Sequence, residues 1–152
     1  MPLVGILMGS RSDEPYVQEA QKALDELHIT FETTVCSAHR NPEGVRAYAQ
    51  GARGRGVEVL IAAAGGAAAL PGVLASWTTL PVIGVPLPTS EMKGVDALHA
   101  IVQMPPGIPV ACMAIGNWGA RNAAFFAASI LSVAHPWVRE RLDEVRDGMS
   151  KR

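Results

Sequence analysis

Leu3-Val4-Gly5-Ile6-Leu7-Met8 places no polar side chain in six consecutive residues, so neither face of the strand it forms suits water. A strand that is apolar on both faces is the mark of a parallel strand buried between two helical layers. The chain on its C-terminal side agrees. Val17, Ala20, Leu24 and Leu27 recur on one helical face, and Thr30 to Cys36 is β-branched and strand-like. From Pro42, a second helix carries Val45, Tyr48, Ala49 and Ala52 on one side. Val57 to Ala63, Pro81 to Val85 and Val110 to Ile115 read as three further strands. Ala120 to Ala134 is almost entirely small or apolar, which predicts a helix buried nearly all round. Strand–helix alternation at this spacing predicts a doubly wound α/β sheet.

At 152 residues the chain reads as one domain, 1–152, long enough for a sizeable core. The core spans about residues 3–134 and a C-terminal helix about 136–150. No apolar run reaches the roughly 18–20 residues that a membrane span needs. Met1-Pro2 opens no basic-then-apolar leader, so a cytoplasmic protein is expected. A net charge of −1, with both signs spread along the chain, leaves no basic footprint for nucleic acid. Cys36 and Cys112 stand apart from each other and from any Cys/His cluster, so free thiols are expected and no metal site. No repeat, low-complexity segment or linker interrupts the sequence, and the stretches Val85–Gly94 and Met104–Gly107 read as ordered loops. After the break at His135-Pro136, Val138, Leu142, Val145 and Met149 form a narrow apolar stripe that needs a neighbour, another subunit being one choice.

In open parallel sheets, ligands sit beyond the carboxyl ends of the strands. Gly9-Ser10-Arg11-Ser12-Asp13 follows the first strand; its glycine lets a ligand approach the backbone, and its hydroxyls and helix-start amides suit an anion such as phosphate. Asp13 can accept from ribose hydroxyls, or else Ser12 or Asp13 serves only to cap the helix. Ser37-Ala38-His39-Arg40-Asn41-Pro42 follows the second strand. Asn41 and Pro42 suit a helix cap and its first residue. His39 and Arg40 place a titratable imidazole next to a fixed cation, which suits moving a proton on an anionic substrate. Ala62 to Gly72 follows the third strand and offers main-chain amides and room for a flat ring, or simply tight helix–sheet packing. Gly116 to Asn122 follows the fifth strand, where Asn117 is expected to cap the long helix and Trp118 and Arg121 to pack. His28, His99 and His135 receive no role.

Together these loops resemble the PurE family, the carboxyaminoimidazole ribonucleotide mutases of purine biosynthesis. The likeness rests on Gly9–Asp13, Ser37–Arg40, Ala64–Ala68, Leu70–Gly72, Gly94–Asp96, Ile101–Pro105, Gly107–Val110 and Ala114–Gly116, in order and spacing from Val4 to about Ala134. It implies a flavodoxin-like three-layer α/β/α sandwich with a five-stranded parallel sheet, a homo-octamer, and a reaction needing no metal, ATP or organic cofactor. In such enzymes 5-(carboxyamino)imidazole ribonucleotide loses carbon dioxide, which stays trapped and recarboxylates the ring carbon while a histidine shuttles the proton. Carried over, His39 is that acid/base with Ser37 beside it. Ser10, Ser12, Asp13 and Arg40 bind the ribose phosphate, and Ala64, Gly65, Gly66, Ala69 and Leu70 hold the ring and carbon dioxide. A histidine suits the shuttle because both of its protonation states are accessible near neutral pH.

The sequence departs from the family pattern at one place: Ala69 stands where the family usually has a histidine. Three other readings share the motifs in part. One is an aminoimidazole ribonucleotide carboxylase that uses free carbon dioxide, another a non-catalytic nucleotide-binding subunit. The third, a receiver-like domain, lacks the aspartate such a domain needs at the end of the third strand.

Overall fold

The computed structural model describes residues 1–152. Five parallel strands, β1 (Val4–Met8), β2 (Phe31–Val35), β3 (Val59–Gly65), β4 (Val82–Leu87) and β5 (Ala111–Cys112), lie in the order β2-β1-β3-β4-β5. Six α-helices accompany them: α1 (Glu14–Glu26), α2 (Pro42–Ala52), α3 (Leu70–Trp77), α4 (Val95–Val102), α5 (Asn117–Leu131) and α6 (Pro136–Ser150). This is the flavodoxin-like three-layer sandwich, with its topological switch between β1 and β3.

The both-faces-apolar reading of the first strand is correct in detail. All five residues of β1 are buried. Val4, Ile6 and Met8 face a core built with α1, α5 and α6, while Leu7 faces one built with α2, α3 and α4. β3 repeats the alternation, with Val59, Ile61 and Ala63 on the first side and Leu60, Ala62 and Ala64 on the second. Burial of each large side chain, such as Leu60 or Leu74, contributes about 1.5–3 kcal/mol. β2 is an edge strand with half-exposed polar residues, and Glu32 there accepts hydrogen bonds from Tyr48 Oη (2.6 Å) and Arg55 Nη2 (2.9 Å).

Several expectations need correction. α5 is buried along one stripe, not all round: Ala120, Ala123, Ala124, Ala127, Ala128 and Leu131 are buried, but Trp118 is 82 % exposed and Phe126 41 %. Gly116, not Asn117, occupies the cap position of α5, and no side chain caps it. β5 is two residues rather than six and is bonded only to β4. Beyond it, Met113 and Gly116 still donate to the Gly84 and Pro86 carbonyls (both 2.9 Å), and the chain then turns closely past Gly119 into α5. β4 runs two residues past Val85, through Pro86. That proline is tolerated because its open side faces the region where the β5 ladder has ended.

α6 packs on its own chain. Val138 is fully buried, and Leu142 and Val145 lie against the α1/α5 core. Arg141 Nη2 donates to the Glu26 carbonyl at the end of α1 (2.8 Å). His135, at the corner before α6, sits 2.9 Å from the Glu58 carboxylate. Both cysteines are free thiols. No helix is long and apolar enough to cross a membrane.

Candidate active site

A cleft of about 340 Å³ opens at the carboxyl end of the sheet, astride the switch between β1 and β3. It is lined by the loops after β1, β2 and β3 and by Thr89, just beyond β4. That volume falls in the range of small-ligand pockets.

After β1, Ser10 is extended and its Oγ accepts from the Ser12 amide (3.3 Å), capping a short 3-10 turn over Arg11–Asp13. The two hydroxyls of Ser10 and Ser12 lie 2.9 Å apart. Neither Ser12 nor Asp13 caps α1 with its side chain, so the capping alternative is set aside. Asp13 lines the cleft although it is only 7 % exposed. Burial raises its carboxyl above the ordinary carboxylate range, and the opposing pull of the Ser10 backbone and the Arg40 charge does not cancel that rise.

After β2, the Asn41 amide donates to the Ser37 carbonyl (2.9 Å), closing a turn that carries Ala38, His39 and Arg40. Asn41 Oδ1 then accepts from the Gly44 amide (3.0 Å) and Pro42 begins α2, as the sequence predicts. The Ser37 hydroxyl accepts from the Arg40 amide (3.2 Å) and Nε (3.3 Å), and Arg40 Nη2 donates to the Gly9 carbonyl (3.2 Å). Ser37 therefore braces Arg40, and Arg40 ties the second loop to the first. His39 is exposed, lines the cleft and makes no hydrogen bond within the chain, leaving both ring nitrogens available.

After β3, Ala64, Gly65, Ala67, Ala68, Ala69 and Leu70 form a wall of methyl groups and main chain. The turn depends on left-handed backbone at Gly66 (φ 60°) and at Ala68 (φ 45°), closed by the Ala68 amide on the Gly65 carbonyl (3.0 Å). An alanine in that region costs on the order of 1 kcal/mol, a strain the surrounding packing must hold in place. Gly66 is not among the residues that line the cleft; its left-handed backbone shapes the turn beside it. Ala69 precedes α3, and its side chain lines the opening.

The sequence reading missed Thr89. It lies in the stretch Val85–Gly94, which reads as an ordered loop, yet its position just past a strand's carboxyl end is the same signal that marks the other three loops. Conversely, Gly116–Asn122 does not reach the cleft; Arg121 pairs with Glu26 (2.8 Å) instead. His99 makes no bond to Asp96, whose carboxylate takes the Ser90 hydroxyl (2.5 Å).

Known proteins are similar to this chain over nearly its whole length. The family model described as AIR carboxylase matches residues 3–152. The N5-carboxyaminoimidazole ribonucleotide mutase of Pyrococcus abyssi is 52 % identical over 151 residues, covering 99 % of this chain and 86 % of that one. The protein of the same name from Aquifex aeolicus is 56 % identical over 142 residues, covering 93 % and 84 %. The crystal structure of Treponema denticola PurE superposes with a TM-score of 0.87 at 26 % identity, covering 99 % of this chain and 93 % of that one. A match that runs from β1 through α6, with half-identical relatives along the same length, places the chain in the AIR carboxylase family, the PurE family that its loops resemble.

Proposed function

We propose that this protein is a 5-(carboxyamino)imidazole ribonucleotide mutase of purine biosynthesis, converting its substrate to the ring-carboxylated isomer without metal or organic cofactor. One observation carries the reading: a single cleft collects an unpartnered imidazole, an anchored guanidinium, two hydroxyls and a wall of small residues. The relatives that bear the mutase name span almost the same length and support the same reaction.

In this reading Ser10, Ser12 and Arg40 hold the phosphate, and Asp13 accepts from the ribose hydroxyls. The imidazole ring lies along Ala64, Gly65 and Ala67–Leu70, where no side chain bulkier than a methyl intrudes before Leu70. His39 donates a proton to the exocyclic nitrogen as its bond to the carboxyl breaks, releasing carbon dioxide inside the cleft. The ring carbon then attacks that carbon dioxide, and neutral His39 removes the proton from the same carbon, so the protein ends as it began. Small apolar walls restrict water and keep the carbon dioxide in place. The whole chain acts as one unit in the cytoplasm. Association of copies, as in the homo-octamer that the family resemblance implies, is supported by the exposed Trp118, Phe126 and Val133 and by an apolar groove of about 470 Å³ lined in part by Leu80, Ile108 and Phe126.

The test supplies purified protein with the carbamate substrate, or with aminoimidazole ribonucleotide and bicarbonate, and follows the ring-carboxylated product. Turnover of the carbamate without added bicarbonate is expected. Turnover only of the second mixture would make the protein a carboxylase, and none with either a binding subunit.

A further inference from the structure

On the side of the cleft formed by β3 and β4, Ala64, Gly65 and Ala67 to Leu70 offer only hydrocarbon and main chain. Thr89 is the one side chain on that wall that carries a hydrogen-bonding group, and its hydroxyl makes no hydrogen bond within the chain. Its place is fixed from two directions. The Thr89 side chain lies against the bare Cα of Gly65: a Cβ there would run into Thr89 Oγ1 and come within 3.2 Å of its Cβ. Gly65 is itself fixed opposite Leu87 in the β3–β4 ladder. On the other side, Ser90 pins the loop: its hydroxyl donates to Asp96 (2.5 Å), its Oγ accepts from the Met92 amide (3.2 Å), and its carbonyl accepts from the Lys93 amide (3.0 Å). A free hydroxyl on an ordered loop, seated on a glycine at the pocket wall, is preorganised to meet a ligand.

We propose that Thr89 is a specificity-determining residue, its hydroxyl donating a hydrogen bond to the carboxyl group that the reaction moves. The inference rests on the functional reading above, in which the ring and its carboxyl lie on this wall while the phosphate lies across the cleft by Arg40. The phosphate side has cations and hydroxyls to hold an anion; on the β3–β4 wall along which the ring lies, across from His39, only Thr89 among the side chains supplies a donor. A hydroxyl there distinguishes the carboxylated ribonucleotides from the uncarboxylated one, because only they present an anionic acceptor at that position.

The experiment measures, for wild type, Thr89→Val and Thr89→Ser, the affinity for the ring-carboxylated ribonucleotide and for aminoimidazole ribonucleotide, together with kcat/KM on the carbamate. Valine keeps the shape and removes the hydroxyl; serine keeps the hydroxyl. Thr89→Val is expected to lose about tenfold or more in affinity for the carboxylated ligand and in kcat/KM, the scale of a lost hydrogen bond to a charged group. Its affinity for aminoimidazole ribonucleotide should be unchanged, and Thr89→Ser should behave as wild type. Equal losses for both ligands, or none for either, would overturn the assignment, as would loss in Thr89→Ser with Thr89→Val intact. A wild type that turns over nothing would defeat the functional reading, and the binding comparison would still decide the role of Thr89.

Discussion

Arg40 Nη2 donates to the carbonyl oxygen of Gly9 at 3.2 Å, so the guanidinium that faces the cleft also joins the loops after β1 and β2. Lysine cannot reproduce that fork, since it has one point charge and no Nε to reach Ser37. Arg40→Lys is expected to raise KM roughly tenfold or more while kcat changes little, the pattern of a residue that binds the substrate's unreactive end. Steady-state kinetics separates the two parameters.

Ser37 stands two residues before His39, yet its hydroxyl is taken up by Arg40. Ser37→Ala removes the acceptor of two Arg40 N–H groups, each bond contributing on the order of 1 kcal/mol. The expected outcome is a raised KM that follows the Arg40→Lys variant, with additional loss in the double variant well below the sum of the two, because both act on one brace. A kcat defect with KM untouched would move Ser37 to the chemistry beside His39.

Burial raises the Asp13 carboxyl, so the folded protein binds its proton more tightly than the unfolded chain does. The stability this confers is complete below the ordinary carboxylate range and is lost as pH rises through the raised folded value. At neutral pH the ionised group is therefore a net cost. Asp13→Asn should raise the melting temperature at pH 7, on a scale of about 2–4 °C per kcal/mol for a chain of this size, with the curves converging in acid. The same variant should bind the ribonucleotide more weakly. Melting curves across pH and a binding titration check both halves.

Away from the cleft, Tyr48 Oη donates to Glu32 Oε1 at 2.6 Å, with Arg55 completing the cluster over the Tyr48 ring. Burial of Glu32 works against its ionisation, but the hydrogen bonds from Arg55 and Tyr48 and the Arg55 charge outweigh it and hold the carboxyl below its ordinary value. The cluster's stabilisation is thus present above the ordinary glutamate range and fades as pH falls through the lowered value. Tyr48→Phe should cost about 1 kcal/mol at neutral pH and less in acid, read by denaturant melts.

What could be read in the sequence follows from what local pattern records. β1 declares itself because each of its residues is buried, whichever face it occupies. α5 misled because alanine is small and apolar in either environment; its repeated alanines hid the outward-facing Phe126 and Trp118. β3 begins two residues later than its sequence suggests because Val57, a strand-like residue, has its amide bonded to the end of α2 (Ala52 carbonyl, 3.2 Å), and Gly65 extends the ladder opposite Leu87. At the site, Ser10, Asp13, His39 and Arg40 were legible as polar residues concentrated at strand ends. The brace from Ser37 through Arg40 to Gly9, and the seat of Thr89 on Gly65, depend on loops meeting in space, and no local spacing encodes that.

The central claim is that this cleft isomerises the carbamate through a proton carried by His39. The direct measurement is the rate at which the ring-carboxylated ribonucleotide forms from the carbamate, for wild type and His39→Asn, beside the affinity of each for the nucleotide. Loss of a general acid/base should lower turnover by about 10²–10⁴-fold and leave affinity unchanged. A His39→Asn protein that turns over as fast as wild type would contradict the account.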